Sequence, residues 1–151
     1  MFRGIYEGRL DSKYRVSIPK RYRTALSEDY DSQLVVTIDT DSPCLLIYPC
    51  ETWVDIEKKI ANLPSFSAAA RRVQRLLVGH ACDLEMDGQG RILLPSLLRD
   101  YAQLQKTVIW LGQGNKFELW DQDVWLQHRD QWLQDYQQQD DWPEELQQLT
   151  L

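Results

Sequence analysis

Arg15 follows Asp11 by four residues, and Arg91 follows Asp87 by the same interval. Both pairs sit in one longer pattern. "LDSKYRVSIP" (Leu10 to Pro19) and "MDGQGRILLP" (Met86 to Pro95) each read apolar, Asp, three residues, Arg, apolar, any residue, apolar, Pro. A guanidinium is a planar fork of donors that grips a phosphate, or the O6 and N7 of a guanine, through two parallel hydrogen bonds. The competing reading is that each arginine only pairs with its aspartate to close a turn. Spacing alone leaves the two readings level.

Further cations gather around the first pair. Lys13 lies inside the first turn, where the second copy has Gln89, and Arg3, Arg9, Lys20 and Arg21 are close in sequence. Single surface cations are usually just solvated, but a cluster within one copy raises the prospect of phosphate contacts, with Lys13 the best placed. The copies are therefore electrostatically unequal, and the first is expected to dominate binding to a polyanion. Arg71, Arg72 and Arg75 share a helical face. They are expected to meet acids of a neighbouring repeat or subunit rather than form a second nucleic-acid patch.

The remaining reactive residues do not assemble into catalytic patterns. His80 and His128 are remote from each other and from a cysteine set with metal-ligand spacing, so no metal is expected. Cys82 lies near His80 but has no Gly-framed nucleophile turn and no third partner. There is no Gly-rich phosphate loop and no paired catalytic carboxylates. The expectation is a non-enzymatic protein without a cofactor.

Charge distribution sharpens this. Across 151 residues the formal net charge is −6, yet residues 1–23 hold seven cations against two acids, and residues 118–151 hold nine acids against Arg129. Such a chain can present a basic face to a polyanion while an acidic end points away. Three cysteines (Cys44, Cys50, Cys82), with no C-x-x-C pair, fit free thiols in a reducing cytoplasm. "MFRGIYEGRL" is charged and lacks an apolar core, so it does not read as a signal peptide. Apolar runs such as "CLLIY" and "TVIWLG" are too short to cross a bilayer, so no membrane partner is expected.

The elements that must position these residues come in duplicate. Asp11, Arg15, Pro19 and Arg23 match Asp87, Arg91, Pro95 and Arg99 at an offset of 76, and "LLIYPCETW" matches "FELWDQDVW" at 72. The second copy has thus lost four residues between the two blocks. The repeats run over about 5–53 and 81–125. In each, alternating strands ("IYEGRL" and "RVSIP"; "CDLEM" and "RILLP") flank a polar turn and place the arginine near a hairpin tip. Gly88 and Gly90 can supply positive φ in the second turn. Pro19 and Pro95 end the strands and open short helices, and two further strands follow. Each copy therefore reads as β-hairpin, short helix, β-hairpin.

Residues 54–80 read as linking helices, continuing a stripe of Trp53, Ile56, Ile60 and Leu63. Pro64 interrupts this stretch, Ser67 can cap the next helix, and Gly79 sits at its end. Residues 126–151 read as a helix and an acidic, Gln-rich tail, with Trp125, His128, Trp132 and Tyr136 spaced as another stripe. Most tryptophans read as core. Trp142, in the acidic tail, reads as an interface anchor.

The segments "MFRG", "LDSKYRVSIPKRYR", "RRVQRLLVGHA", "MDGQGRILLP" and "NKFELWD" resemble, in order and over nearly the whole chain, the MraZ family of bacterial regulators of the division and cell-wall gene cluster. The resemblance implies an α+β fold: two SpoVT–AbrB-like repeats forming a β-barrel-type core with flanking helices. It further implies ring-shaped homo-oligomers on the nucleoid that bind direct repeats in promoter DNA. It makes direct DNA contact the better reading for Arg15 and Arg91, with Asp11 and Asp87 orienting, and the local clustering of cations adds Lys13, Arg9 and Arg21 as DNA-binding candidates. One residue departs from the family's Lys-Gly-Arg turn: Tyr14 stands at the glycine position. Either this turn has another geometry or Tyr14 is strained at positive φ. The alternative function is a protein-interaction scaffold or antitoxin-like module. Salt separates the two, because phosphate contacts weaken steeply with salt and apolar protein contacts do not.

Overall fold

The computed structural model describes residues 1–149; the last two residues of the expected tail (126–151) lie outside this range. Its strands are β1 (Phe2–Arg9), β2 (Arg15–Ser17), β3 (Gln33–Ile38), β4 (Leu45–Pro49), β5 (Cys82–Glu85), β6 (Arg91–Leu93), β7 (Thr107–Gly114) and β8 (Phe117–Asp121). Its helices are α1 (Lys20–Tyr30), α2 (Cys50–Ala61), α3 (Ala68–Val73), which runs on into a π-helical turn at Gln74–Val78, α4 (Ser96–Tyr101), α5 (Gln122–Gln138) and α6 (Glu144–Gln147). The expected α+β class and the two-unit plan are both present.

The units interleave rather than sit side by side. A six-stranded antiparallel sheet has the order β1-β7-β8-β4-β3-β5, and β2 pairs with β6 in a separate ribbon. Only the second half of each copy forms the expected hairpin, β3 with β4 and β7 with β8. In the first half, β1 pairs with β7, β5 with β3, and β2 with β6, each across the copies. Strands of three residues are too short to hold an independent hairpin. Each instead finds a partner in the other copy. Two reciprocal bonds lock the exchange: Ile18 N–H donates to Gly90 O at 2.8 Å, and Leu94 N–H donates to Tyr14 O at 3.1 Å.

The barrel-type core is corrected by the same pairing. The sheet does not close, and β1 and β5 remain its edges. The strands that follow them, β2 and β6, bond each other instead of bridging β1 to β5. The charged side chains of Arg3, Glu7 and Arg9 on β1 suit an unpaired edge.

Burial follows the alternation read from sequence. Val16 and Ile92 face inward at 1% exposure and join Ile18, Leu26, Leu94, Leu98, Trp110 and Phe117 in one core. Each fully buried aliphatic side chain of this kind contributes about 1.5–3 kcal/mol. Trp53 on α2 packs with Val35, Tyr48 and Ile60. Its counterpart Trp125 on α5 packs with Ile109 and Trp120. Ser67 caps α3, its Oγ accepting from Ala70 N–H at 3.3 Å. Among the described residues no helix is long and apolar enough to cross a membrane.

Candidate nucleic-acid interface

Asp11 closes the turn between β1 and β2. Its N–H donates to Arg15 O at 2.9 Å, and Tyr14 N–H donates to Asp11 O at 3.0 Å. The carboxylate fills the inside of the turn. Oδ1 accepts the N–H groups of Lys13 and Arg15, and Oδ2 accepts Arg15 Nε–H, all at 2.9 Å. The second turn reproduces each bond. Asp87 N–H donates to Arg91 O at 2.9 Å and Gly90 N–H to Asp87 O at 3.0 Å. Asp87 Oδ1 accepts from Gln89 N–H at 2.8 Å and Arg91 N–H at 3.0 Å, and Oδ2 accepts Arg91 Nε–H at 3.1 Å.

These donors all favour the ionised carboxylate. Both aspartates are held below the ordinary 3.8, the backbone N–H of Arg15 being the largest cause for Asp11 and that of Arg91 for Asp87. The two readings of the arginines are therefore compatible. One carboxylate closes the turn with Oδ1 and aims the fork with Oδ2. Each arginine gives only Nε to its aspartate. Its two Nη groups have no protein acceptor among the described residues and remain for an outside ligand.

The register of β2 and β6 decides where the forks lie. Arg15 pairs with Leu93, Val16 with Ile92, and Ser17 with Arg91. Directly paired residues share a face, so Arg15, Ser17, Arg91 and Leu93 lie opposite buried Val16 and Ile92. Diagonal neighbours across such a pair are roughly 7–8 Å apart. The arginines thus flank one short ribbon. They do not sit at the tips of two separate hairpins, because each turn hands its chain to a strand that pairs with the other copy.

Of the other predicted residues, Lys13 is exposed within the first turn, and Arg9 is exposed at the end of β1 beside it. Arg21 stands apart on α1, its guanidinium carbon 5.3 Å from the Tyr22 ring centroid, and it lines neither turn. Tyr14 has φ 63°, matching Gly90 at 77°, with the same hydrogen bonds around it. The strain alternative is the right one: the backbone of the first turn follows that of the second, and Arg15 bonds its aspartate as Arg91 does. Left-handed backbone costs a residue with a side chain roughly 1–2 kcal/mol. Here the Tyr14 ring carries the Arg99 guanidinium, whose carbon lies 3.5 Å from the ring centroid. A cation–π contact at an exposed site returns roughly 0.5–1 kcal/mol.

Arg23 and Arg99 keep the offset of 76, and the structure places each beside a turn, Arg23 against Gly90 and Arg99 on Tyr14, a proximity that spacing alone does not reveal. Arg71 donates Nη1–H to Ser65 O at 2.8 Å, and none of Arg71, Arg72 and Arg75 forms an ion pair among the described residues. His80 and His128 each bond a carbonyl in their own helical segment, Leu76 O and Val124 O. Asp39, Cys44 and Glu118 bring three possible ligand atoms within 4.8 Å of one another, a grouping not evident in sequence. Burial pushes the Cys44 thiol far up, and its Sγ donates to Asp39 Oδ2 at 3.6 Å.

A ribbon displaying one carboxylate-oriented arginine from each of two interleaved copies defines an α+β protein built by duplication of one unit. Sequence relatives agree on the lineage, and the chain belongs to the MraZ family. That family's model, described as "MraZ protein, putative antitoxin-like", matches twice, over residues 1–76 and 77–142. A Legionella pneumophila protein named "Transcriptional regulator MraZ" is 51% identical over 152 residues, covering 100% of both chains. Proteins of the same name from Hydrogenovibrio crunogenus (57% over 132 residues, 87% of each chain) and Coxiella burnetii (49% over 152 residues, 100% of each) are also similar.

Proposed function

We propose that this protein is a non-enzymatic, sequence-specific regulator of transcription that binds double-stranded DNA, and that Arg15 and Arg91 read bases. The observation that carries this is the pair of guanidinium forks, each pinned through Nε and open at Nη, on one exposed ribbon face. A two-stranded ribbon fits the major groove, where an arginine fork can bond a guanine bidentately. Lys13 and Arg9 add phosphate contacts, and Arg21 contributes to the surrounding basic surface. The names of the relatives support a role in transcription.

The targets in this reading are direct repeats upstream of the division and cell-wall gene cluster, on the nucleoid in the cytoplasm. The functional units are the repeats at 5–53 and 81–125, joined by 54–80 and followed by 126–151. The chain acts as a ring-like homo-oligomer. The unpaired Arg71, Arg72 and Arg75 face acids of the next subunit, and the outer surface of α5, with Leu133 and Tyr136 exposed, supplies apolar area. Footprinting on the DNA upstream of the protein's own gene cluster, at several salt and protein concentrations, tests the reading. Protection spaced as direct repeats and lost steeply with salt is expected. Binding that ignores salt and sequence would favour the protein-interaction alternative. Sedimentation at micromolar concentration should show a closed assembly well above a dimer.

A further inference from the structure

The electrostatic inequality of the two turns extends beyond Lys13 and Gln89. Beside the first turn lies a cleft of about 430 Å³ whose lining includes Arg9, Arg99 and Lys106, with Asp11 its one acid. The counterpart beside the second turn, about 540 Å³, is lined by Arg23 together with Glu28 and Asp87. Glu85 occupies the position in the second copy that Arg9 holds in the first. Three cations against one acid therefore face one cation against two.

Arg99 owes its place in this cleft to Tyr14. Arg23 and Arg99 correspond, and each donates Nε–H to a strand carbonyl: Arg23 to Ile18 O at 2.8 Å, Arg99 to Leu94 O at 3.1 Å. Arg23 lies directly on Gly90, so closely that a Cβ there would stand 2.4 Å from its Cδ and 2.6 Å from its Nε. Tyr14 occupies the equivalent position and has that Cβ. Arg99 cannot take the seat Arg23 takes, and it rests on the tyrosine ring instead. With Nε bonded and one face of the guanidinium covered, the Nη edge is what Arg99 offers to a ligand.

We infer that this cleft is a phosphodiester-binding site, in which Arg99, perched on Tyr14, grips the DNA backbone with Arg9 and Lys106 while Arg15 reads the bases beside it. The inference rests on the DNA-binding reading above and deepens it. Arg99 and Lys106 belong to the second repeat, so the first turn's site is completed by the other copy. Convergence of three cations from separate segments suits a diffuse anionic backbone, and the planar Nη edge matches the geometry of phosphate oxygens.

The test compares the full-length parent with Arg99→Gln, Arg99→Lys, Lys106→Gln and Tyr14→Gly, each checked for folding by circular dichroism. Affinity for a footprinted duplex and for an unrelated duplex is measured between about 50 and 200 mM salt. Each lost phosphate contact lowers the slope of log affinity against log salt by about 1. Arg99→Gln and Lys106→Gln are expected to show that drop and to weaken both duplexes by the same factor. Arg99→Lys, which keeps the charge, should retain the parental slope. Tyr14→Gly keeps every charge, removes the perch, relieves the positive φ and opens to Arg99 the seat that Arg23 takes on Gly90, and should weaken both duplexes equally. A folded Arg99→Gln protein with the parental slope, or a loss confined to the footprinted duplex, overturns the inference and leaves the DNA-binding reading intact. A parent that binds neither duplex overturns both.

Discussion

Replacing Arg15 with alanine separates the two jobs of the first turn. The bonds from Lys13 N–H and Arg15 N–H to Asp11 Oδ1 come from the backbone and survive the change. Only the Nε–H bond to Oδ2 is lost, and exposed pairs of this kind contribute about 0–1 kcal/mol. The fold should therefore stand. Binding should not. A bidentate fork on guanine contributes about 1–3 kcal/mol of discrimination, or roughly 5- to 150-fold per engaged site. Where several chains engage a repeated operator, these losses compound. Asp11→Asn is the companion change. It can keep an Oδ acceptor for the turn but sets an amide donor against the Nε donor, and should cost part of the Arg15→Ala loss. Fluorescence anisotropy on matched and unrelated duplexes, at one stated salt concentration, gives the specificity ratio. A folded Arg15→Ala protein with the parental ratio would refute the reasoning and leave Arg15 a turn-closing residue.

Three further outcomes follow from the same geometry. Arg91→Ala should lower the specificity ratio less than Arg15→Ala, because Gln89 and Glu85 replace the cations of the first turn; equal losses in assembled proteins would contradict this. The Asp11 and Asp87 carboxylates, followed by carbon NMR, should titrate below 3.8. With folded values depressed, their support for the turns is present above the ordinary carboxylate range and is lost as pH falls through the folded values; midpoints at or above 3.8 would show the bonds are weak in solution. Glu118 has the opposite sign. Burial raises its carboxyl, against the bond from Trp120 Nε1–H at 3.0 Å, so its ionisation costs stability as pH rises through the folded value. Glu118→Gln keeps an acceptor for Trp120 and should raise the thermal midpoint at pH 8 but not at pH 4, with an unchanged midpoint at both counting against the argument.

The turns were legible in sequence because their chemistry is local. An aspartate that must accept two backbone N–H groups and one Nε–H within five residues leaves little freedom in type or spacing, so the Asp-to-Arg interval survives duplication. Trp53 and Trp125 were legible as anchors for a related reason: each opens a helix after a strand and is nearly buried, at 4% and 8% exposure. Strand partners were not legible. Alternation in "RVSIP" says which side of Val16 is covered and nothing about the chain alongside it, and a three-residue strand has one inward residue with which to choose. The open sheet was hidden likewise, since closure depends on where both edges end. Tyr14 showed itself as strained, but the seat it gives Arg99 lies 85 residues further along the chain.

Interleaving gives the duplication a use that two tandem copies would lack. Pairing β2 with β6 sets Arg15 and Arg91 on one face, roughly 7–8 Å apart, which spans about two base-pair steps at 3.4 Å each. On the proposed reading one chain therefore specifies only a few base pairs. The approximate symmetry of the ribbon would favour a palindromic element if its halves were equal. They are not equal: Ser17 answers to Leu93, Lys13 to Gln89, Arg9 to Glu85, and Tyr14 to Gly90. An unequal ribbon reads an element with a direction. Chains arranged head to tail carry that direction unchanged from one subunit to the next, which calls for direct repeats rather than inverted ones. On that reading the differences between the copies would set the orientation of the operator, while their shared Asp–Arg turns would make the contacts.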